Sequence, residues 1–260
     1  MSQTRARKRF GQHFLTDQYT IDQIIELIAP IPGDHLVEIG PGRGALTAQL
    51  IGYDVPLDVI EIDRDLAQMI NSKFGEHPNF SLRIGDALKI DYATFRDSGA
   101  IRVVGNLPYN ISTPLILQLI AQCSVIEDMT FMLQKEVVDR LAAEPGSKDY
   151  GRLSVMVQSY AQVLGFFEVP PAAFDPPPRV TSKLVRITPQ DRGISENTYR
   201  CLEYCVRLAF GLRRKTVKNS LGREISLDVI EKCGIDLKQR PEELPVETYL
   251  LLAKALEQGS

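Results

Sequence analysis

Ile101-Arg102-Val103-Val104-Gly105-Asn106-Leu107-Pro108-Tyr109 is an apolar run that ends in a polar-aromatic tetrad. The run reads as a short buried strand and the tetrad as the turn at its C-terminal end. In an open α/β sheet, ligands bind at such strand ends. The tetrad has the groups that modification of an exocyclic amine needs. The N6 amine of adenine is a poor nucleophile, because its lone pair is delocalised into the ring. The Asn106 side-chain oxygen and the Leu107 carbonyl can both accept hydrogen bonds from such an amine, drawing the nitrogen toward a tetrahedral, nucleophilic state. Pro108 fixes φ and has no N–H, so it stiffens the turn that aims the Leu107 carbonyl. Tyr109 offers a ring face for a base to stack on and for a cation to approach. A strand followed by an Asn-Pro turn is also an ordinary structural device, so the tetrad gains meaning from what surrounds it.

Upstream, strand-like and helical runs alternate. Residues 17–29 place Ile21, Ile24, Ile25, Leu27 and Ile28 at helical spacing and stop at Pro30 and Pro32. Strands are then predicted over 35–39, 57–62, 80–84 and 101–104, with helices over 45–51 and 65–73 between them. Downstream, Thr113 and Pro114 mark the cap and first position of a helix to residue 122. A strand over 126–133 and a helix through Leu141 follow. This β-α alternation predicts a parallel, doubly wound sheet, the Rossmann-like α/β class. Residues 161–169 and 181–188 read as an antiparallel pair closing the sheet edge, joined by a loop with Pro176-Pro177-Pro178. From Glu196 the pattern is helical only. Residues 190–195 read as a linker, which divides the chain into a domain over 1–190 and a small all-helical domain over 191–260.

Leu36-Val37-Glu38-Ile39-Gly40-Pro41-Gly42-Arg43-Gly44 runs from a strand into a glycine-rich turn. Glycines let the backbone approach a ligand closely and adopt positive φ. A dinucleotide enzyme would carry such a loop too, but with GxGxxG spacing in place of the GxGxG found here. Glu38 lies two residues before the first glycine, where a carboxylate can balance the ammonium of S-adenosylmethionine. Glu61, ending the next strand, suits both ribose hydroxyls, although a dehydrogenase places an acid similarly. Asp86 ends the third strand and can accept from the cofactor's adenine amine; its ordinary reading is a turn residue or helix cap. Gly40/Gly42/Gly44, Glu61, Asp86 and the tetrad fall on four successive strand ends. That series resembles the class I S-adenosylmethionine-dependent methyltransferases of the adenine-N6 type.

The chain has 260 residues, 44% of them apolar, and a formal net charge of −3. No run approaches the length of a membrane span, and the basic, polar N-terminus is not a secretory signal. Four cysteines without a CxxC pair suit a reducing, cytoplasmic compartment. Cys201 and Cys205 share a helical face with no histidine nearby, a packing pattern in preference to a metal site. The charge is unevenly spread. Arg5, Arg7, Lys8 and Arg9 form a basic arm with no acid before Asp17. Arg207, Arg213, Arg214, Lys215, Lys218 and Arg223 form a second run without an acid between Tyr204 and Glu224. Charge runs usually solvate a face, yet two such runs in a slightly acidic protein read as phosphate-binding patches.

Further motifs narrow the resemblance. Lys8-Arg9-Phe10-Gly11-Gln12-His13-Phe14-Leu15, Val37-Glu38-Ile39-Gly40-Pro41-Gly42 and Asn106-Leu107-Pro108-Tyr109-Asn110-Ile111-Ser112 are similar to signatures of the rRNA adenine dimethyltransferase family. So are Leu133-Gln134-Lys135-Glu136-Val137, Tyr150-Gly151-Arg152-Leu153-Ser154 and Phe174-Asp175-Pro176-Pro177-Pro178-Arg179-Val180. Arg213-Arg214-Lys215-Thr216 with Asn219-Ser220-Leu221 continues the match into the tail, and the likeness is greatest to the bacterial 16S rRNA branch. Leu212 stands where the family usually has Gln, Thr181 where it usually has Asp, and His13 where some members have Asn.

The resemblance implies dimethylation of two adjacent adenosines in the 3′-terminal hairpin loop of 16S rRNA, within the small ribosomal subunit or its precursor. It implies cofactor contacts at His13, Leu15, Gly40, Glu61, Asp86 and Asn106; the loop adds Glu38 and Gly42. Catalysis would fall to Asn106, Leu107, Pro108 and Tyr109. The target adenine would leave its stack, at a cost of a few kcal/mol and less in a loop. Tyr109 is expected on one face of that base and Phe174 on the other, ordinary packing being the alternative for Phe174. Arg7, Lys8, Arg9, Arg213, Arg214, Lys215 and Lys218 are expected to contact RNA, the last four from one helix. A sulfonium methyl is already activated, so no metal is expected; nor is a membrane, and the protein is expected to be a monomer. The competing readings are a 23S rRNA adenine-N6 methyltransferase, a non-catalytic rRNA-binding assembly factor and a nucleotide-dependent dehydrogenase. The intact tetrad and glycine loop speak against the pure binder, and the loop spacing against the dehydrogenase.

Overall fold

The computed structural model describes residues 12–95, 99–212 and 214–259. Two compact units divide the chain: one runs to Val138 and resumes over Leu164–Pro189, the other takes Asp139–Val163 and Gln190–Ser260.

In the first unit, β1 (Phe14–Leu15) precedes α1 (Gln18–Ile28). The Asp17 carboxylate caps α1 by accepting from the Thr20 N–H at 2.8 Å, and the helix buries Ile21, Ile24, Ile25 and Ile28. Ala29, in the left-handed region, ends it just before Pro30. Then follow β2 (Leu36–Ile39), α2 (Thr47–Leu50), β3 (Leu57–Glu61), α3 (Arg64–Phe74), β4 (Phe80–Ile84), β5 (Ile101–Asn106), α4 (Ser112–Ala121) and β6 (Ile126–Gln134). Next along the chain come α5 (Lys135–Leu141), α6 (Arg152–Gln158), which belongs to the second unit, β7 (Ala161–Val169), β8 (Phe174–Asp175) and β9 (Ser182–Pro189).

Seven strands form one sheet in the order β4-β3-β2-β5-β6-β9-β7, whose parallel part is the doubly wound sheet expected from the β-α alternation. The first five are parallel, while β9 runs antiparallel to β6, with Gln134 opposite Ser182. Strands β9 and β7 are neighbours and close that end of the sheet as expected, with β9 next to β6 and β7 outermost. From β2 the chain winds outward through β3 and β4, then returns to the other side of β2 as β5. The switch point therefore lies between β2 and β5, where a crevice opens at the strand ends. Gly105 permits this pairing: a Cβ there would lie 2.4 Å from the Ile39 carbonyl oxygen.

A buried cation pins the start of β5. Arg102 donates to Asp34 at 2.6 Å, to Asp128 at 2.9 Å and to the Ile28 carbonyl at 2.7 Å. Removing Arg102 would leave Asp34 buried without its cation, at a cost of about 3–5 kcal/mol. The helix after the tetrad begins at Ser112, so Thr113 lies inside it and is not its cap. The Ser112 hydroxyl instead donates to the Tyr109 carbonyl at 3.1 Å, which starts the helix directly off the tetrad.

The second unit adds α7 (Glu196–Gly211), α8 (Leu227–Lys232) and α9 (Val246–Gln258). It begins near residue 190 as read from the sequence, but residues 139–163 join it. Helix α6 packs on α7 and α9, the Tyr150 hydroxyl donates to the Leu244 carbonyl at 2.8 Å, and the Tyr150 ring meets Phe210 edge-on. No described helix is long and apolar enough to cross a membrane.

Candidate active site

One cavity of about 340 Å³ opens at the switch point. It is lined by residues 12–15, 38–43, 60–62, 85–88 and 106–111, with Ala45, Leu46 and Leu66. The structure thus brings together His13, Leu15, Glu38, Gly40, Gly42, Glu61, Asp86, Asn106, Leu107, Pro108 and Tyr109, residues drawn from five separate segments of the chain.

The glycine turn takes the shape its residues permit. Gly40, Gly42 and Gly44 all lie at positive φ, at 69°, 57° and 85°. A Cβ at Gly42 would sit 2.9 Å from the Phe14 ring, so the turn is closed from above by the N-terminal segment. That segment is held by the antiparallel pair β1–β8, which sets Phe14 opposite Asp175 and Leu15 opposite Phe174. Arg43 clamps it further: its guanidinium lies 4.4 Å from the Phe14 ring centre and donates to Asp175 at 2.9 Å. Neither two-residue strand carries a periodic signal, so the sequence hides this pair.

Two buried acids lie along the floor. The Glu38 carboxylate accepts from the Thr47 hydroxyl at 2.6 Å, and burial pushes its pKa up to about 7, with the Glu61 charge adding to the rise. Glu61 accepts from the Asp63 N–H at 2.8 Å, and burial raises its pKa to about 6 against the lowering by nearby backbone N–H groups. Asp86 caps the turn after it, accepting from the Leu88 N–H at 3.1 Å, and also lines the cavity. Thr47, the partner of Glu38, is a residue that sequence reasoning passed over. The available signal was a polar side chain on the buried face of a short helix.

At the tetrad, Asn106 donates from Nδ2 to the His13 carbonyl at 3.1 Å. His13 in turn donates from Nδ1 to the Pro176 carbonyl at 2.8 Å. The Leu107 N–H donates to the Met132 carbonyl at 3.2 Å and the Ile111 N–H to the Pro108 carbonyl at 3.1 Å, which fix the turn. Tyr109 hydrogen-bonds through its hydroxyl to Ser182 Oγ at 2.9 Å, and burial raises its pKa. Its ring lies near the His13 ring, centroids 6.0 Å apart and planes inclined by 28°.

Phe174 departs from expectation. It is only 4% exposed, belongs to the core with Leu15, Val169 and Ala173, and does not line the cavity. Its place in β8 turns an aromatic of a proline-rich loop into a packed residue, so here the packing reading holds.

Of the expected RNA contacts, Arg7, Lys8, Arg9 and Arg213 lie outside the described residues. Arg214, Lys215 and Lys218 are exposed, but not on one helix as expected. Helix α7 ends at Gly211, Leu212 turns extended and Arg214 has φ 61°. The Val217 and Lys218 N–H groups then donate to the Gln239 and Leu237 carbonyls, which hold this stretch as a looped segment.

The cavity fits S-adenosylmethionine. Three carboxylates around a partly apolar cavity suit a nucleoside that carries a sulfonium and an ammonium. They would repel the pyrophosphate of a dinucleotide. Exposed Ile62, beside Glu61, and Leu88, beside Asp86, offer apolar faces to a purine. A mixed sheet with a glycine turn, strand-end acids and an Asn-Leu-Pro-Tyr turn at the switch point defines a class I S-adenosylmethionine-dependent methyltransferase.

Comparison with known proteins agrees. The family model for ribosomal RNA adenine dimethylase matches residues 3–258. Two curated relatives are named Ribosomal RNA small subunit methyltransferase A. The one from Pseudomonas syringae pv. tomato is 50% identical over 98% of this chain and 96% of its own length. The one from Pseudomonas aeruginosa is 52% identical over the same shares. Among solved structures, a dimethyladenosine transferase from Plasmodium falciparum superposes with a TM-score of 0.79 at 26% identity, covering 92% of this chain and 96% of that one. The 23S rRNA methyltransferase ErmE gives 0.73 at 25% identity, covering 94% and 100%. The chain belongs to the ribosomal RNA adenine dimethylase family. It is an enzyme that methylates ribosomal RNA with S-adenosylmethionine as donor.

Proposed function

We propose that this enzyme dimethylates the N6 amines of two adjacent adenosines in the 3′-terminal hairpin loop of 16S rRNA, in the small ribosomal subunit or its precursor. It acts in the cytoplasm, as a monomer. The carrying observation is the tetrad on the cavity wall, with Asn106 oriented by the His13 carbonyl. The choice of RNA is supported by the 50–52% identity to small subunit methyltransferases, against 25% to the 23S enzyme.

When bound, S-adenosylmethionine supplies a methyl group already activated on sulfonium. Glu61 accepts from the ribose hydroxyls, Asp86 from the adenine amine and Glu38 balances the ammonium, with Gly40 and Gly42 allowing close approach and His13 and Leu15 closing the cavity. At the target base, Asn106 Oδ1 and the Leu107 carbonyl accept both amine hydrogens and so localise the lone pair on nitrogen. Pro108 stiffens that turn, and Tyr109 carries one face of the extruded base. The enzyme's contribution is positioning and preorganised polarity. The amine's surplus proton passes to solvent, since the tetrad's amide and raised-pKa phenol do not take it. Arg7, Lys8, Arg9, Arg213, Arg214, Lys215 and Lys218 hold RNA phosphates.

The test is incubation with labelled S-adenosylmethionine and undermethylated small subunits, followed by mapping of the label. Two adjacent dimethylated adenosines near the 3′ end are expected. Label on 23S rRNA alone would refute the assignment.

A further inference from the structure

Ser182 opens β9 and is completely buried. Its main chain is fixed by the β6 pairing opposite Gln134, and by the Lys135 N–H donating to the preceding Thr181 carbonyl at 2.9 Å. From that rigid place its hydroxyl meets the Tyr109 hydroxyl at 2.9 Å. Tyr109 is thus held at both ends, because Ser112 takes its carbonyl. A phenol ring turns about two torsions, and a hydrogen bond at its far end restricts both. Ordering a side chain beforehand lowers the cost of binding against it. A buried hydroxyl needs some partner, but Ser182 finds its partner on a ring that lines the cavity, not in a nearby carbonyl.

We propose that Ser182 is a positioning residue for methyl transfer: its hydroxyl holds the Tyr109 ring in the plane on which the target base stacks. This rests on the reading of Tyr109 as the stacking face. It ties the strand that follows the proline-rich loop to the base site and leaves the cofactor floor apart. Losing the bond therefore affects the RNA step and not cofactor affinity.

The test measures turnover on undermethylated small subunits and cofactor affinity by calorimetry for Ser182→Ala, Tyr109→Phe, the double variant and Tyr109→Ala. Ser182→Ala and Tyr109→Phe should each lose roughly fivefold in turnover, the scale of one neutral hydrogen bond. The double variant should lose no more than either, and cofactor affinity should stay unchanged in Ser182→Ala. Should Ser182→Ala fail to fold, Tyr109→Phe removes the same bond from the other side, and full turnover there overturns the proposal. Multiplying losses in the double variant also overturn it, since Ser182 would then act apart from the phenol. Wild-type turnover in Ser182→Ala with a crippled Tyr109→Ala overturns the positioning role alone. Wild-type turnover in Tyr109→Ala overturns the stacking reading on which it rests.

Discussion

Asn106 Nδ2 lies 3.1 Å from the main-chain carbonyl of His13, across ninety-three positions of sequence. A carbonyl only accepts, so this contact sets which end of the amide faces it and leaves Oδ1 as the acceptor for a substrate amine. The N-terminal segment therefore does more than cover the cofactor cavity. It orients the side chain proposed to engage the target amine, while His13 is itself tied to the Pro176 carbonyl at 2.8 Å.

Asn106→Ala should lower turnover by about a hundredfold or more, the scale of losing one preorganised transition-state contact, while RNA affinity stays near that of the wild type. The loss belongs in kcat because the acceptor matters most as the amine becomes tetrahedral. Single-turnover methylation alongside particle-binding assays checks this. Near-normal turnover would refute the role.

Legibility varied with the physics of each segment. The strands from β2 to β6 and their polar ends were plain, because buried parallel strands are continuous apolar runs and the site residues sit immediately after them. The β1–β8 pair was hidden: two-residue strands have no period, and their partners lie some 160 positions apart. The same pairing buries Phe174, which a proline-rich loop would otherwise expose. Residues 139–163 read as part of the sheet domain by position, yet the apolar face of α6 and the Tyr150 contacts carry them into the helical unit. Arg214, Lys215 and Lys218 read as part of one helix. Gly211 stops α7 before them.

Glu61→Ala should weaken cofactor binding by about 1–3 kcal/mol, the range for hydrogen bonds to a charged acceptor. One Glu61 oxygen is committed to the Asp63 N–H, which fixes the carboxylate's direction at the cavity floor. RNA affinity should be unaltered. Calorimetry showing unchanged cofactor affinity would remove the ribose assignment.

Glu38 predicts a pH dependence. Burial raises its folded-state pKa from 4.5 to about 7, so the native state retains a proton that the unfolded chain gives up. Its contribution is most favourable below the unfolded value and is lost as pH rises through about 7. That loss is on the order of 3 kcal/mol for a shift of this size. Glu38→Gln removes it, so the cofactor-free variant should gain stability over the wild type between pH 5 and pH 8. Glu61, raised to about 6, adds a slope of the same sign to both proteins, which the difference cancels. Denaturant titrations at the two pH values test this, and parallel behaviour of the two proteins would refute it. Cofactor affinity of the wild type should strengthen as pH rises through 7, because the carboxylate attracts a cationic ligand, and the variant should lack that trend.

The basic segment should govern RNA affinity and not the chemistry. Arg214 and Lys215 are exposed, and Glu224 accepts from the Tyr204 hydroxyl at 2.8 Å. Arg214 stands at φ 61°, and the N–H groups of Val217 and Lys218 anchor the following turn, so the segment presents its charges from a fixed loop. Each phosphate neutralised releases counterions, and affinity then falls with salt in proportion to the contacts made. Replacing Arg214 and Lys215 by Ala should weaken binding to small subunits and flatten the slope of log affinity against log salt by about 1–2. Cofactor affinity should not move, since every residue lining the cavity belongs to the other unit. If these side chains merely solvate the loop, the double variant will bind particles with an unchanged salt slope, and the RNA contact must then be sought elsewhere on the chain.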